Sequence, residues 1–175
     1  MKRVITFLFA LALTGCQTTK VERDGPTALE VAKPSSILVL PVVNNSVDVD
    51  APHSVLSSLP VMLAEKGYYL FPVNTVKTIL EYEGMYEPAE VHAVPPQKLI
   101  EMFGADAVLY VTINRWDTTY LVLSSTTEVE FNYKIVGKDG QLLWEANKKL
   151  AYTPQSGNTG NLIGDLISAA ITAVI

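Results

Sequence analysis

The chain has 175 residues, 49% of them hydrophobic and 18% charged, with a formal net charge of -5. That length suits one domain with a well-buried core, and the composition is neither disordered nor fibrous. No Lys/Arg run is present to neutralise phosphates, which argues against nucleic-acid binding, and a single cysteine excludes an internal disulfide framework.

The first element is N-terminal. Lys2 and Arg3 precede an apolar run from Val4 to Leu13, and the small residues Thr14 and Gly15 lead to Cys16. The run is too short to span a bilayer, which needs about 20 residues. A positive start, a short apolar core and a small-residue end form an export signal over residues 1–15. The string Leu13-Thr14-Gly15-Cys16 resembles the lipobox of bacterial lipoproteins. The resemblance implies that the Cys16 thiol receives a diacylglycerol, that the signal is cut before it, and that the new amine is acylated with a chain such as palmitate. Gln17, in place of the aspartate of inner-membrane retention, implies the outer membrane, facing the periplasm. Loss of Lys2 and Arg3 makes the remainder more acidic still, so lipid rather than headgroup attraction must hold it at the membrane.

Residues 16–33 are polar, mixed in charge and broken by Gly25 and Pro26, which predicts a lipidated cysteine on a flexible tether. A single domain over 34–175 follows. Ile37-Leu38-Val39-Leu40, ended by Pro41, fits a strand buried on both faces. After a polar loop from Asn44 to His53, Ser54 is placed to cap a helix over 54–66, with Val55, Leu56, Leu59, Met62 and Leu63 as its apolar stripe and Gly67 as its stop. Pro60 conflicts with that helix. A strand at 68–71, a helix at 74–83 capped by Asn74 or Thr75, a loop from Met85 to Val94, and a helix at 96–103 stopped by Gly104 come next.

Ala107 to Ile113 is a second apolar strand, and the order of elements so far argues for right-handed crossovers and a parallel core. From Tyr120 to Val136 apolar and polar residues alternate, which marks an antiparallel strand with one wet face. Lys138-Asp139-Gly140 is a hairpin turn, and the returning strand puts Leu142, Trp144, Ala146 and Leu150 on one face. The last stripe, Leu162 to Val174, predicts a helix over 161–175 that stops inside its own pattern, as if the natural chain were C-terminally truncated here. The expected fold class is α/β: a three-layer-like mixed sheet with a parallel core (strands near 36–41, 68–71 and 107–114). An antiparallel meander (120–136, 141–152) extends it, and helices at 54–66, 74–83, 96–103 and 161–175 flank it.

Chemistry-bearing constellations are sparse. His53 follows Asn44, Asp48 and Asp50 in the loop after the first strand, where ligands of open α/β sheets tend to bind, so these four residues are the candidate ligand site. A solvated acidic loop with an incidental histidine is the simpler reading. His92 reads as a loop residue. Glu81, Glu83, Glu87 and Glu90 lack the oxygen spacing and turn glycine of a calcium loop, and no metal or cofactor is expected. The Gly157–Gly160 stretch lacks the lysine and spacing of a phosphate loop, and there is no Gly-x-Ser-x-Gly elbow. An enzyme is not expected. Tyr68, Tyr69, Tyr82, Met85 and Tyr86 form an interface-like composition near loops.

With the lipobox, Gly67-Tyr68-Tyr69-Leu70-Phe71-Pro72-Val73, Phe103-Gly104-Ala105-Asp106-Ala107-Val108-Leu109-Tyr110-Val111 and Leu123-Ser124-Ser125-Thr126-Thr127 in view, the chain resembles a family of bacterial lipoproteins of unknown function related to a neisserial surface antigen. The resemblance implies a fold similar to the amino-terminal domain of the Tol translocation protein and the periplasmic part of the curli secretion channel. It carries over no catalytic residue and implies a curli-channel-like lipoprotein as partner. Three functions follow in order: a membrane-anchored interaction protein that assembles with an envelope protein or with itself, a small-ligand or glycan binder using 44–53, and last a hydrolase using His53.

Overall fold

A computed structural model describes residues 26–121 and 124–152. The lipobox, the signal and the 161–175 helix lie outside these residues. The sheet is built by β1 (Ser36–Val39), β2 (Val43–Asn44), β3 (Tyr69–Leu70), β4 (Ala107–Leu121), β5 (Ser124–Gly137) and β6 (Leu142–Tyr152). Its order is β3-β1-β4-β5-β6, with β2 pairing β4 as a continuation of the β1 line. β1 runs parallel to β3 and β4, and β2 parallel to β4. The β4–β5 and β5–β6 pairs are antiparallel. This is the mixed, open α/β sheet that alternation and unbroken apolar runs require.

Helices α1 (Ala28–Ala32), α2 (Ala51–Glu65), α3 (Val73–Tyr82), α4 (Pro88–Ala93) and α5 (Pro96–Phe103) cover it. Side chains alternate along each strand. Ile37 and Val39 of β1, the odd residues Ala107 to Ile113 of β4, and Val129, Phe131, Tyr133 and Ile135 of β5 meet α1 and α2. Leu38, Leu40 and Val108 face the opposite way and meet α3, α4 and α5. The second helical layer stops at β4, because on β5 that face carries Glu128, Glu130, Asn132 and Lys134 instead of apolar residues. Trp116, Phe131, Tyr133 and Trp144 form an aromatic ladder across β4, β5 and β6, with successive centroids 6.1, 5.6 and 6.2 Å apart.

Several expectations are corrected. The packed domain begins before residue 34: Thr27 and Glu30 form a reciprocal capping box that starts α1, and Leu29 enters the core. Pro41 interrupts the first strand, and pairing resumes at Val43, so Asn44 is a strand residue. α2 begins at Ala51, with Pro52 in its first turn in place of a Ser54 cap, and it continues through Pro60. Its buried row is Ala51, Val55, Leu59 and Leu63, spaced by four, with Leu56 and Met62 packed beside it.

α3 starts directly after Pro72 without an Asn74 or Thr75 cap. The expected loop from Met85 to Val94 contains α4, and His92 lies in that helix. The strand at 107–114 extends to Leu121, and the 120–136 strand is split between the two arms of a hairpin. Leu142 is 44% exposed and Leu143 is buried, because an irregularity between Ile135 and Val136 shifts the register by one residue. The α5 boundaries, the Gly104 stop at φ 69 and the turn at Gly140 (φ 74) are as expected.

Tyr133 is 1% exposed, and among the described residues its hydroxyl has no hydrogen-bond partner. Burial pushes the phenol far above its ordinary pKa. Tyr133→Phe should raise stability by about 1 kcal/mol, since an unpaired buried donor is removed with its shape kept. A denaturation midpoint unchanged or lowered in Tyr133→Phe counts against this account.

Candidate functional site

The four residues of the predicted ligand loop do not converge. Asn44 donates from Nδ2 to the Asp48 carbonyl at 2.7 Å, and its Oδ1 accepts from the Ser46 N–H at 3.0 Å and the Ser46 hydroxyl at 2.7 Å. Asp48 Oδ1 accepts from the N–H groups of Asp50 and Ala51 at 2.9 and 3.1 Å. Both side chains are therefore occupied in shaping the turn and starting α2. Asp50 stands at the helix start with no capping bond of its own. His53 is carried into α2 instead of the loop, and it lines a cleft between α2, α3 and α4.

That cleft has a volume of about 200 Å³, and Pro41, Leu56, Leu80, Met85, Tyr86 and Val91 are among the residues that line it. Lys77 and Glu81 sit at its edge, paired at 3.7 Å one helical turn apart. Tyr86 is 70% exposed at the cleft, and Tyr82 on α3 is 91% exposed. Tyr86 thus stands open beside an apolar recess, whereas Tyr82 lies outside its lining. Of the aromatic and Met residues singled out in the sequence, Met85 and Tyr86 meet at this cleft; Tyr82 is exposed on α3 outside its lining, and Tyr68 and Tyr69 lie at β3 and the turn before it.

His92 carries a role that its sequence context did not reveal. Its Nε2–H donates to the Pro41 carbonyl at 3.0 Å, and its ring meets Tyr110 edge-to-face at 5.2 Å. A carbonyl only accepts, so the proton resides on Nε2. Burial lowers its pKa below the ordinary histidine value, and the Pro41 bond opposes that shift in part. The ring fastens α4 to the break between β1 and β2.

Asp106 is a second residue missed at first. One carboxylate oxygen accepts from the N–H groups of Ser35 and Ser36 at 3.0 Å each and from the Ser36 hydroxyl at 3.1 Å. Ser36 Oγ in return accepts from the Asp106 N–H at 3.0 Å, and Lys138 of the β5–β6 turn pairs with the other oxygen. The Lys138 ammonium holds the Asp106 carboxyl below the usual range; desolvation opposes it, and the Ser36 and Ser35 bonds add to the lowering. The signal was the Gly104-Ala105-Asp106 string itself, an acid placed at the head of a buried strand.

Among the described residues, no group of three or more His, Cys, Asp or Glu side chains could hold a metal ion. No described helix is long and apolar enough to cross a membrane. The described residues thus form an open mixed α/β sheet with helices on it and a small apolar cleft between α2, α3 and α4. The chain belongs to the GNA1162-like lipoprotein family, whose model matches residues 25–175. It is 38% identical over 176 aligned positions to the lipoprotein NMB1124/NMB1162 of Neisseria meningitidis serogroup B, covering 99% of this chain and 81% of that one. The crystal structure of lipoprotein GNA1162 from Neisseria meningitidis superposes with a TM-score of 0.69 at 38% identity, over 80% of this chain and 97% of that one. The PelC dodecamer from Paraburkholderia phytofirmans shares the fold at a TM-score of 0.55 and 17% identity, over 86% and 91% of the two chains. The family resemblance drawn from the sequence strings is borne out.

Proposed function

We propose that this chain is a lipoprotein anchored through Cys16 in the outer membrane, facing the periplasm, where it acts without catalysis as an assembly component of an envelope complex. The observation that carries this reading is the exposed Tyr86 in the lining of the apolar cleft, with a second exposed tyrosine, Tyr82, four residues earlier at the end of α3. Membership of a lipoprotein family supports the anchor. Thr27, where the packed domain begins, is eleven residues beyond Cys16, so an extended tether reaches at most about 40 Å and keeps the cleft near the membrane. The partner proposed from the resemblance is a curli-channel-like lipoprotein. The ligand-binding alternative loses support because Asn44 and Asp48 use their polar atoms within the turn.

The test uses the full lipidated chain, gently solubilised, with co-purifying envelope proteins read by mass spectrometry. Tyr82→Ser/Tyr86→Ser should cut partner recovery at least about tenfold while membrane attachment persists, since buried tyrosine anchors each contribute about 2 kcal/mol or more. Cys16→Ser should leave an unprocessed or soluble species that carries no acyl chain. An acylated, membrane-bound Cys16→Ser product would refute the anchor, and full partner recovery by the tyrosine double variant would refute the docking surface.

A further inference from the structure

Among the described residues, no element pairs with the outer edge of β6, although the strand runs from Leu142 to Tyr152. A free edge of that length is a template for another strand, and natural proteins guard such edges with lysine, proline or bulges. Here Lys148 and Lys149 are present, but the charge pattern is self-complementary. In the β5–β6 ladder Lys134 lies opposite Glu145, Asn132 opposite Asn147, and Glu130 opposite Lys149. Glu145, Asn147 and Lys149 are all exposed on the open face that α3 to α5 leave uncovered.

We propose that two copies of this chain join through the edge of β6, the two strands pairing antiparallel about a two-fold axis at Asn147. In that register Glu145 of each copy lies opposite Lys149 of the other, and the two Asn147 side chains face each other. The row across four strands then reads Lys134, Glu145, Lys149, Glu130, with opposite charges adjacent at every step. Asn147 already accepts at Oδ1 from Asn132 Nδ2 at 2.8 Å, which leaves its own amide hydrogens for the second copy.

On the other face Trp144 comes opposite Leu150, two partly buried side chains at the margin of the core. The sheet faces align only when opposed residues have the same parity, because a one-residue slip turns every side chain over. A slip of two residues sets Glu145 opposite Asn147 or Ala151 and loses the charge match. The lysines thus guard the edge against other registers and other strands, while the two-fold register matches Lys149 against Glu145 and sets Lys148 opposite Ala146 on the other face. A closed two-fold contact is also the commonest way for a chain to self-associate. The inference rests on the proposed assembly role and deepens it by naming a second copy as one partner.

The experiment uses the full lipidated chain in mild detergent at low salt, where exposed charges are least screened. Asn147→Cys should form a reducible dimer on mild oxidation that wild type does not form, since opposed residues of antiparallel strands lie within disulfide reach. Glu145→Lys and Lys149→Glu should each weaken self-association by about tenfold, as like charges replace opposite ones. An equimolar mixture of the two variants should restore it, because every contact across the axis becomes opposite in sign again. A wild-type chain that stays monomeric at micromolar concentration, or a mixture no better associated than either variant alone, overturns the proposal. Recovery of the envelope partner is read on the same samples. Partner retained by a chain that never dimerises sinks the edge pairing and leaves the assembly role standing; pairing as described with no envelope partner recovered from any sample supports the edge and sinks the hetero-assembly part of that role.

Discussion

Replacing Phe131 by alanine should cost about 3–5 kcal/mol of stability, the range for deleting a fully buried aromatic ring. Phe131 is 0% exposed and sits in the middle of the ladder, between Trp116 and Tyr133. Truncation removes contacts on both sides and leaves a cavity that the hydrogen-bonded β4–β5–β6 sheet cannot collapse to fill. Domain stabilities are only about 5–15 kcal/mol, so the variant loses a large share of its margin. Urea unfolding followed by tryptophan fluorescence reads this directly, because Trp116 and Trp144 flank the site. Phe131→Leu keeps most of the volume and should cost well under half as much. A Phe131→Ala midpoint close to wild type would show that the meander core is loosely packed.

The second large effect is at Asp106. Asp106→Ala should destabilise the domain by about 2–3 kcal/mol, the loss expected when charge-assisted bonds are removed and their donors left without an acceptor. Its side chain is 30% exposed, so water replaces part of what the donors lose and the figure stays below that of a fully buried carboxylate. The consequence is a pH dependence of defined sign. The folded-state pKa of Asp106 is depressed, so its contribution is fully present above the ordinary aspartate value of 3.8 and disappears as pH falls through the lower folded value.

His92 acts earlier on the same side. Its folded pKa lies below 6.5, so the unfolded chain binds the proton more readily and stability falls as pH drops through that value. Stability measured from pH 8 to pH 3 should decline in two stages. His92→Phe should remove the first, which begins near pH 6.5, and Asp106→Asn should flatten the second, which begins below pH 4. A profile in which neither variant changes its stage would contradict both assignments.

Much of this was legible before any coordinates. Ile37 to Leu40 and Ala107 to Ile113 were readable as buried strands because no charged residue interrupts them. Val129, Phe131, Tyr133 and Ile135 were readable as inward because a strand's side chains alternate and every second residue there is polar. The α5 helix was delimited by Pro96 and Gly104, one fixing φ at its start and the other accepting a left-handed φ at its end.

What failed shares a cause. Residues 28–32 look like tether because the stretch around them, 16–33, is polar and mixed in charge, yet one buried leucine and a capping box suffice to dock a single turn and a half against β6. His92 looks like a loop residue because α4 is short and sits between prolines; only the nearby Pro41 carbonyl gives it a partner. Leu142 and Leu143 exchange places because a register irregularity has no local signature.

The candidate site divides the same way. Asn44, Asp48, Asp50 and His53 are close in sequence, but hydrogen bonds to their own backbone claim the first two, and the start of α2 at Ala51 turns His53 toward α3 and α4. The sequence by itself determined the family, the α/β class and most of the strand faces, because each rests on local pattern: periodicity, turn residues or a contiguous motif. Only the tertiary structure decided which charged groups meet and which tyrosines remain open. It alone showed that Asp106 joins three chain segments, that Tyr86 borders a cleft, and that among the described residues nothing pairs beyond β6. Those facts depend on contacts between residues far apart in the chain, where long-range packing overrides local preference.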